Sequence, residues 1–215
     1  TVVDLGCGTG RHCKSHEIKK ASIFPIDKNK KSIRKLKKSL SEQETQNDYT
    51  PLYGDAHHLP FANKSVDKVI CSEVLEHIPQ PNKILREINR VLKPDGELAI
   101  SVPTFFSEMI IDSLADKYLG KPGGHVHVFR KKEIIEKVEN SGFEIWKKDS
   151  AHSLHVFYWS LRAIFGIEEE NNLLPNLYKS FLDYTYGSKT WQKIENSLNK
   201  LVPKSHVFYA RKPSS

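Results

Sequence analysis

The chain has 215 residues, of which 38% are hydrophobic and 27% charged, enough for one sizeable core with an elaboration. No stretch reaches the roughly 18 uninterrupted apolar residues of a membrane helix, and the amino terminus lacks the basic-then-apolar layout of a signal peptide. No membrane span is expected, and a cytoplasmic location is. Cys7, Cys13 and Cys71 stand at spacings that suit neither a disulfide framework nor a zinc site, and Cys71 reads as a small buried strand residue. The formal charge of +7 invites a nucleic-acid partner. Much of it gathers in Lys28, Lys30, Lys31, Arg34, Lys35, Lys37 and Lys38, where Ile33, Leu36 and Leu40 keep helical spacing. That segment is either a solvated helix face or a phosphate-binding surface, and the lack of interleaved aromatics favours the first.

Strands are predicted at residues 2–5, 22–26, 50–53, 66–71 and 97–102, with helices between them over 10–20, 28–40 and 82–92. Alternation of β-branched runs with helical patterns signals βαβ units and a parallel sheet covered on both faces. "KPDG" at 93–96 supplies turn chemistry after the last of these helices. Residues 104–130 read as an insertion carrying the Gly-rich "GKPGGHVHVF". A helix follows over 131–141 on the stripe of Ile134, Ile135 and Val138, and Gly142 stops it. "FEIWKK" at 143–148 and "HVFYAR" at 206–211 read as strands, and the long helical, aromatic-rich stretch between them is expected to cap something. The chain begins on its first strand without an initiator methionine, and a preceding amino-terminal segment is expected.

"VVDLGCGTGRH" at 2–12 places Gly6, Gly8 and Gly10 where a strand gives way to a helix, a turn whose backbone can approach a ligand and aim N–H groups at it. The spacing is GxGxG, and Arg11 stands where a dinucleotide GxGxxG counted from Gly6 would need glycine. Asp4 would repel a pyrophosphate but suits a ligand carrying positive charge. Asp27 ends the second strand where a ribose-binding acid is expected. An adenosine-like ligand with a cationic tail satisfies both.

These motifs, with "YGDAHHLPF" at 53–61, "VDKVICSEVLEHI" at 66–78 and "LREINRVLKPDGELAISVP" at 85–103, resemble the class I S-adenosylmethionine-dependent methyltransferases, in particular their type 11 small-molecule group. The likeness is ordered over roughly the first 103 residues and returns at "ENSGFEI" and "HVFYARKP". It implies an α/β fold: a doubly wound, Rossmann-like, mostly parallel seven-stranded sheet with the last strand antiparallel, plus helical cap insertions. Residues 1–103 would form the cofactor-binding half, 104–130 an insertion near the acceptor site, 131–149 a helix and strand of the same domain, 150–204 a helical cap, and 205–215 the last strand and tail.

The resemblance also implies roles. Gly6, Gly8 and Gly10, with Cys7 between them, would lie under the methionine part of S-adenosylmethionine, and Asp4 would help hold its amino group. Asp27, followed by Lys28, would take the two ribose hydroxyls. Asp55 would accept from the adenine amino group, with Ala56 giving a backbone N–H to the ring, and Ser72 and Glu73 would lie near the sulfonium. Asp55 could equally be a turn residue. Glu76 is assigned to a solvated helical face, and His77 matches a histidine that shapes the pocket floor in the resembled group.

Methyl transfer to a hydroxyl needs a base, and histidine is matched to neutral pH. The candidates are His127, His125 and His152, with His155 also in the cap region. In an extended "HVHVF" both His125 and His127 would face one side. The same spacing, with His57 and His58, tempts a metal reading, but no Asp or Glu falls at a recognised ligand spacing nearby, and no metal is expected. "CSEV" replaces the (Asp/Asn)-Pro-Pro-(Tyr/Phe) motif of enzymes that methylate base amines. Tyr118, Phe129, Phe157, Tyr158, Trp159 and Phe165 suit an apolar or planar acceptor, although most are expected to serve the cap's own core. The leading function is methyl transfer to an oxygen, nitrogen or carbon nucleophile of a small molecule. RNA or protein methylation and non-catalytic cofactor binding are the alternatives.

Overall fold

A computed structural model describes residues 1–12, 20–42, 46–115, 124–166, 171–185 and 188–214. The helix expected over 10–20 and the residue Tyr118 lie largely or wholly outside them. Eight strands form one sheet: β1 (Val2–Leu5), β2 (Ser22–Asp27), β3 (Asp48–Tyr49), β4 (Leu52–Tyr53), β5 (Val66–Ser72), β6 (Leu92–Pro103), β7 (Glu144–Ala151) and β8 (Ser205–Arg211). Their order is β3-β2-β1-β5-β6-β8-β7, and β4 also pairs with β2. All pairings are parallel except those of β8, which runs antiparallel to both β6 and β7.

The count is eight rather than seven because the third strand is split. β3 pairs with Ser22 and Ile23, β4 with Ile26 and Asp27, and Pro51 between them has no N–H for the ladder. β6 begins earlier than predicted, and "KPDG" makes a bulge inside it: Leu92 lies opposite Val66, Glu97 opposite Lys68, and Asp95 takes a positive φ of 60°.

The helices among the described residues are α1 (Lys30–Ser41), α2 (Pro81–Val91), α3 (Phe105–Leu114), α4 (Lys131–Glu139), α5 (Ser153–Phe165), α6 (Leu173–Thr185) and α7 (Lys189–Leu198), with a 3-10 turn at Leu75–His77. α1 starts two residues later than predicted because the Asn29 side chain accepts from the Lys31 and Ser32 N–H groups and so caps it. Its basic residues Arg34, Lys35, Lys37 and Lys38 are exposed, while Ile33 and Leu36 are buried. α2 opens on Pro81, which needs no N–H partner there, and buries Ile84, Leu85, Ile88 and Val91.

The main core joins β1, β5 and β6 to α2, α4 and β8. Phe129 belongs to it. A smaller cluster of Ile111, Ala115 and Ala163, with Trp159 against it, fastens α3 to α5. The Asn199 Oδ1 accepts from both the N–H and the hydroxyl of Ser153, tying the start of α5 to the residue after α7. Of the aromatics expected in the cap's core, Phe157 and Phe165 are instead exposed, at 55% and 41%. No helix among the described residues is long and apolar enough to cross a membrane.

Ile88 is fully buried between α2 and the sheet. Ile88→Ala is expected to destabilise the protein by about 2–5 kcal/mol, read as the shift in urea unfolding free energy. A cost below about 1 kcal/mol would show that this helix face is not packed as described.

Candidate active site

The first loop is bent back over the end of β2. The N–H groups of Gly6 and Cys7 both donate to the Ile26 carbonyl, at 2.8 and 3.1 Å. The Gly8 N–H then donates to Asp27 Oδ2 at 2.8 Å, and the Asn29 N–H to Oδ1 at 2.7 Å. Asp27 is thereby fixed at the carboxyl end of its strand, and each oxygen keeps further acceptor capacity.

The three glycines meet different demands. At Gly6, φ is +70° and a Cβ would lie 2.3 Å from Val74 Cγ2, so the strand-loop junction has no room for a side chain. At Gly8, φ is +54° and a Cβ would meet nothing within 4 Å; this is the position that leaves space above the backbone. Gly10 is packed against Leu36. Cys7, counted among the cofactor contacts, turns its side chain into the cluster of Ile33 and Leu36. Burial, with the negative charge of Asp4 nearby, pushes its thiol up to about 12, so it stays protonated. Asp4 itself is buried within β1, 2% exposed.

Beyond this loop lies a cavity of about 530 Å³, within the range of ordinary cofactor pockets. Of the cofactor contacts named from the sequence, Gly6, Asp27, Lys28, Asp55, Ala56 and Glu73 line it. Leu5, Ile26, Val74, Ile78 and Val126 give it apolar walls. Its charged lining is three carboxylates against one ammonium, which fits a cationic nucleoside and opposes a pyrophosphate. Asp55 is a turn residue that also borders the cavity. Its Oδ1 accepts from the His57 N–H and faces the His57 ring, and these bonds lower its acidity range, yet the residue also lines the cavity.

A second cavity of about 320 Å³ adjoins the first, and Glu73 and His77 line both. Its remaining wall comes from Arg11, the carboxyl end of the sheet, α3 and α5, including Glu76, Glu108, Ile111, His125 and Trp159. Glu73 sits directly after β5 with φ at +54°, a strained conformation for a non-glycine residue. Lys204 Nζ donates to one carboxylate oxygen at 2.7 Å and Ser101 Oγ to the other at 2.9 Å, and Ser72 in turn bonds Ser101. Burial pushes the Glu73 carboxyl up, but the Lys204 ammonium and these donors outweigh it and hold it below the usual range.

Glu76 is the residue that sequence reasoning misplaced. It is 1% exposed, lies in the 3-10 turn with its side chain on the second cavity, and neither carboxylate oxygen has a hydrogen-bond partner among the described residues. Burial, and then the charge of Glu73, raise its carboxyl well above the usual range. A polar residue in "LEHI" reads as solvated only if the segment is a surface helix. Instead, the turn is folded under residues 124–127, whose Val126 and His127 N–H groups both donate to the Glu76 carbonyl, at 2.8 and 3.0 Å.

That pair of bonds also bends the "HVHVF" segment out of a strand and separates its two histidines. His125 lines the second cavity and its Nδ1 is bonded to Glu108 Oε2. His127 is not among the lining residues of either cavity; its ring lies 5.3 Å from Phe129, and its Nε2 reaches the Pro79 carbonyl at 3.3 Å. His152 lines the second cavity beside His155, but Arg11 Nη2 lies 3.2 Å from its Nε2. Burial and the Arg11 charge lower His152 to about 3, and burial with the Arg11 and Lys204 charges lowers His155 to about 4.

A family model described as a methyltransferase domain matches residues 3–100. The demethylmenaquinone methyltransferase of Lactobacillus johnsonii is 34% identical over 102 residues, covering 46% of this chain and 42% of that protein. The ubiquinone biosynthesis O-methyltransferase of Vibrio atlanticus is 28% identical over 148 residues, covering 65% of this chain and 61% of that protein. The chain thus spans less than two thirds of the length of these relatives. A solved S-adenosylmethionine-dependent methyltransferase from Methanosarcina mazei superposes with a TM-score of 0.66 at 17% identity, covering 100% of this chain and 92% of that one, and shares the fold.

Gly6→Ala and Gly8→Ala both place a side chain at positive φ, costing about 1–2 kcal/mol each. Only Gly6→Ala also meets Val74, so it is expected to lower the melting temperature several degrees further than Gly8→Ala does; equal losses would contradict this packing. For His152 and His155, the unfolded chain takes up protons near 6.5 that the folded chain refuses down to about 3 and 4. Stability should therefore fall as pH drops through that window, and urea midpoints at pH 7 and pH 5 should converge partly in His155→Asn.

Proposed function

We propose that this chain, which through residues 3–100 belongs to the type 11 group of class I S-adenosylmethionine-dependent methyltransferases, methylates a hydroxyl on a small planar acceptor held in the second cavity. The single observation that carries this reading is the junction of the two cavities at Glu73 and His77, which gives a donor and an acceptor one common wall. Quinone-biosynthesis enzymes among its relatives support an aromatic acceptor, and Ile111 and Trp159 offer it apolar contact.

S-adenosylmethionine, when bound, supplies a methyl group already activated on a sulfonium. The chain's part is then alignment, exclusion of water and removal of the acceptor's proton. Asp27, locked by two backbone N–H groups, would accept the ribose hydroxyls without having to reorganise. Asp55 and Ala56 would hold the adenine edge, and Leu5, Ile26, Val74 and Ile78 would enclose the ring. Glu73, kept ionised by Lys204 and Ser101, would face the sulfonium with a negative charge.

Of the three candidate bases, the positions favour His125. His127 lies outside both cavities, and His152 is too weak a base at about 3 to hold a proton at neutral pH. His125 faces the acceptor cavity with its ring oriented by buried Glu108. The acceptor's hydroxyl would therefore be activated at the wall of Glu76, His77 and His125.

Calorimetry with S-adenosylhomocysteine is expected to show binding by the unaltered protein and a loss of at least about tenfold, or 1.4 kcal/mol, in Asp27→Ala. Asp27→Asn keeps an acceptor for the Gly8 N–H and serves as the control for loop geometry. Equal affinity in all three would remove the ribose assignment, and absence of methyl transfer from labelled donor to a panel of catechols and hydroquinones would remove the acceptor class.

A further inference from the structure

Two acids on the wall of the second cavity keep bonding capacity that the chain itself does not use. Glu76 and Glu108 are each 1% exposed, and both line that cavity. Neither oxygen of Glu76 has a hydrogen-bond partner among the described residues, and Glu108 uses only the oxygen bonded to His125 Nδ1. The third acid, Glu73, is satisfied by Lys204 and Ser101. Buried polar groups in folded proteins are hydrogen-bonded, so a carboxyl bare on both oxygens at a cavity wall is a group whose partner arrives with the ligand.

The surroundings of Glu76 decide what it can offer. The acids Glu73 and Glu108 lie beside it, and no ammonium or N–H bonds it. Burial first, and then the Glu73 charge, push its carboxyl up, and the pull of its own backbone and of Lys204 does not outweigh them. A protonated carboxyl has one O–H to give, whereas the free oxygen of Glu108 has lone pairs for a hydroxyl. Both acids belong to one small patch. An oxygen of Glu76 and a ring nitrogen of His125 lie within 4.8 Å, and Glu108 is bonded to that ring. Two oxygens on neighbouring ring atoms of a ligand, each about 2.7 Å from its partner, fit such a patch.

We propose that the carboxyl group of Glu76 selects the acceptor by donating its O–H to a carbonyl oxygen placed beside the reacting hydroxyl, as in a hydroxyaryl ketone or a hydroxyquinone. A carbonyl accepts more strongly than a phenol oxygen and brings no further charge beside Glu73. At about 320 Å³ the cavity is at the small end of ligand pockets, which suits one ring with short substituents, and Ile111 and Trp159 give that ring apolar contact. Which group is methylated rests on the methyltransferase reading; binding of the carbonyl rests on the cavity alone.

The test is calorimetry of ortho-hydroxyacetophenone, its para isomer and phenol, titrated into protein saturated with S-adenosylhomocysteine and again into nucleoside-free protein, with a chelator present throughout. The unaltered protein is expected to bind the ortho compound at least about tenfold more tightly than either other probe, because each of those leaves Glu76 without its partner. Glu76→Gln keeps an N–H donor at the same reach and should keep most of that preference. Glu76→Met, close in shape but without a donor, should reduce it to about twofold or less. S-adenosylhomocysteine affinity should stay within about threefold in both variants, the sign of an intact fold. Glu76→Ala repeats the comparison should Glu76→Met not fold. Equal affinity of the unaltered protein for the three probes, the result expected if water alone satisfies Glu76, overturns the assignment. So does an ortho preference that survives loss of the carboxyl, or one that Glu76→Gln loses as fully as Glu76→Met. An ortho preference without nucleoside binding sustains it and overturns the cofactor reading instead.

Discussion

The carboxylate of Asp27 governs the arrangement of everything at the carboxyl edge of the sheet. It stands at the end of β2 and takes one N–H from the glycine loop after β1 and one from Asn29, the residue that caps α1. Three segments that meet at the sheet edge are pinned to a single rigid anion. The Ile26 carbonyl just before it takes two more N–H groups from the same loop. With its donors drawn inward in this way, the loop can close the cavity floor while presenting an acidic rather than a phosphate-binding surface.

A second constraint follows at the far end of the cavity. β5 must end and the chain must turn within two residues to enter the 3-10 turn at Leu75–His77, and Glu73 takes a left-handed conformation to do so. The turn carries Glu73 between the two cavities and drives Glu76 inward beneath residues 124–127. Strain at Glu73 is offset by Lys204 and Ser101, one from beside β8 and the other from β6. The antiparallel strand, remote in sequence, is thus what brings the compensating ammonium to the site.

The sheet was legible because its signals are local. βαβ alternation and the acid one strand after a glycine turn each follow from short-range geometry. Boundaries slipped where one residue overrode its neighbours, as Pro51 did in dividing the third strand and Asp95 in bulging the sixth. Around the first cavity the same local signals reach only part way: Gly6, Asp27, Lys28, Asp55, Ala56 and Glu73 line it, whereas Asp4, Cys7, Gly8, Gly10 and Ser72 are not among its lining residues. Cys7 has the right place in the loop but points into the core, and the apolar walls from Val74, Ile78 and Val126 carry no mark in sequence beyond being hydrophobic.

The acceptor side was not readable, because what decides it is tertiary. Nothing near Glu76 in the chain says that residues 124–127 will fold over it, nor that Glu108, from a helix of the intervening segment, will reach His125. Adjacent Glu76 and His77 meet a histidine 48 positions downstream of His77, a juxtaposition that no local spacing announces. No charge balance for the wall was legible beforehand either, since exposure decides whether an acid costs anything. A buried carboxylate lacking any donor is the signal to look for, and it exists only once the chain has folded.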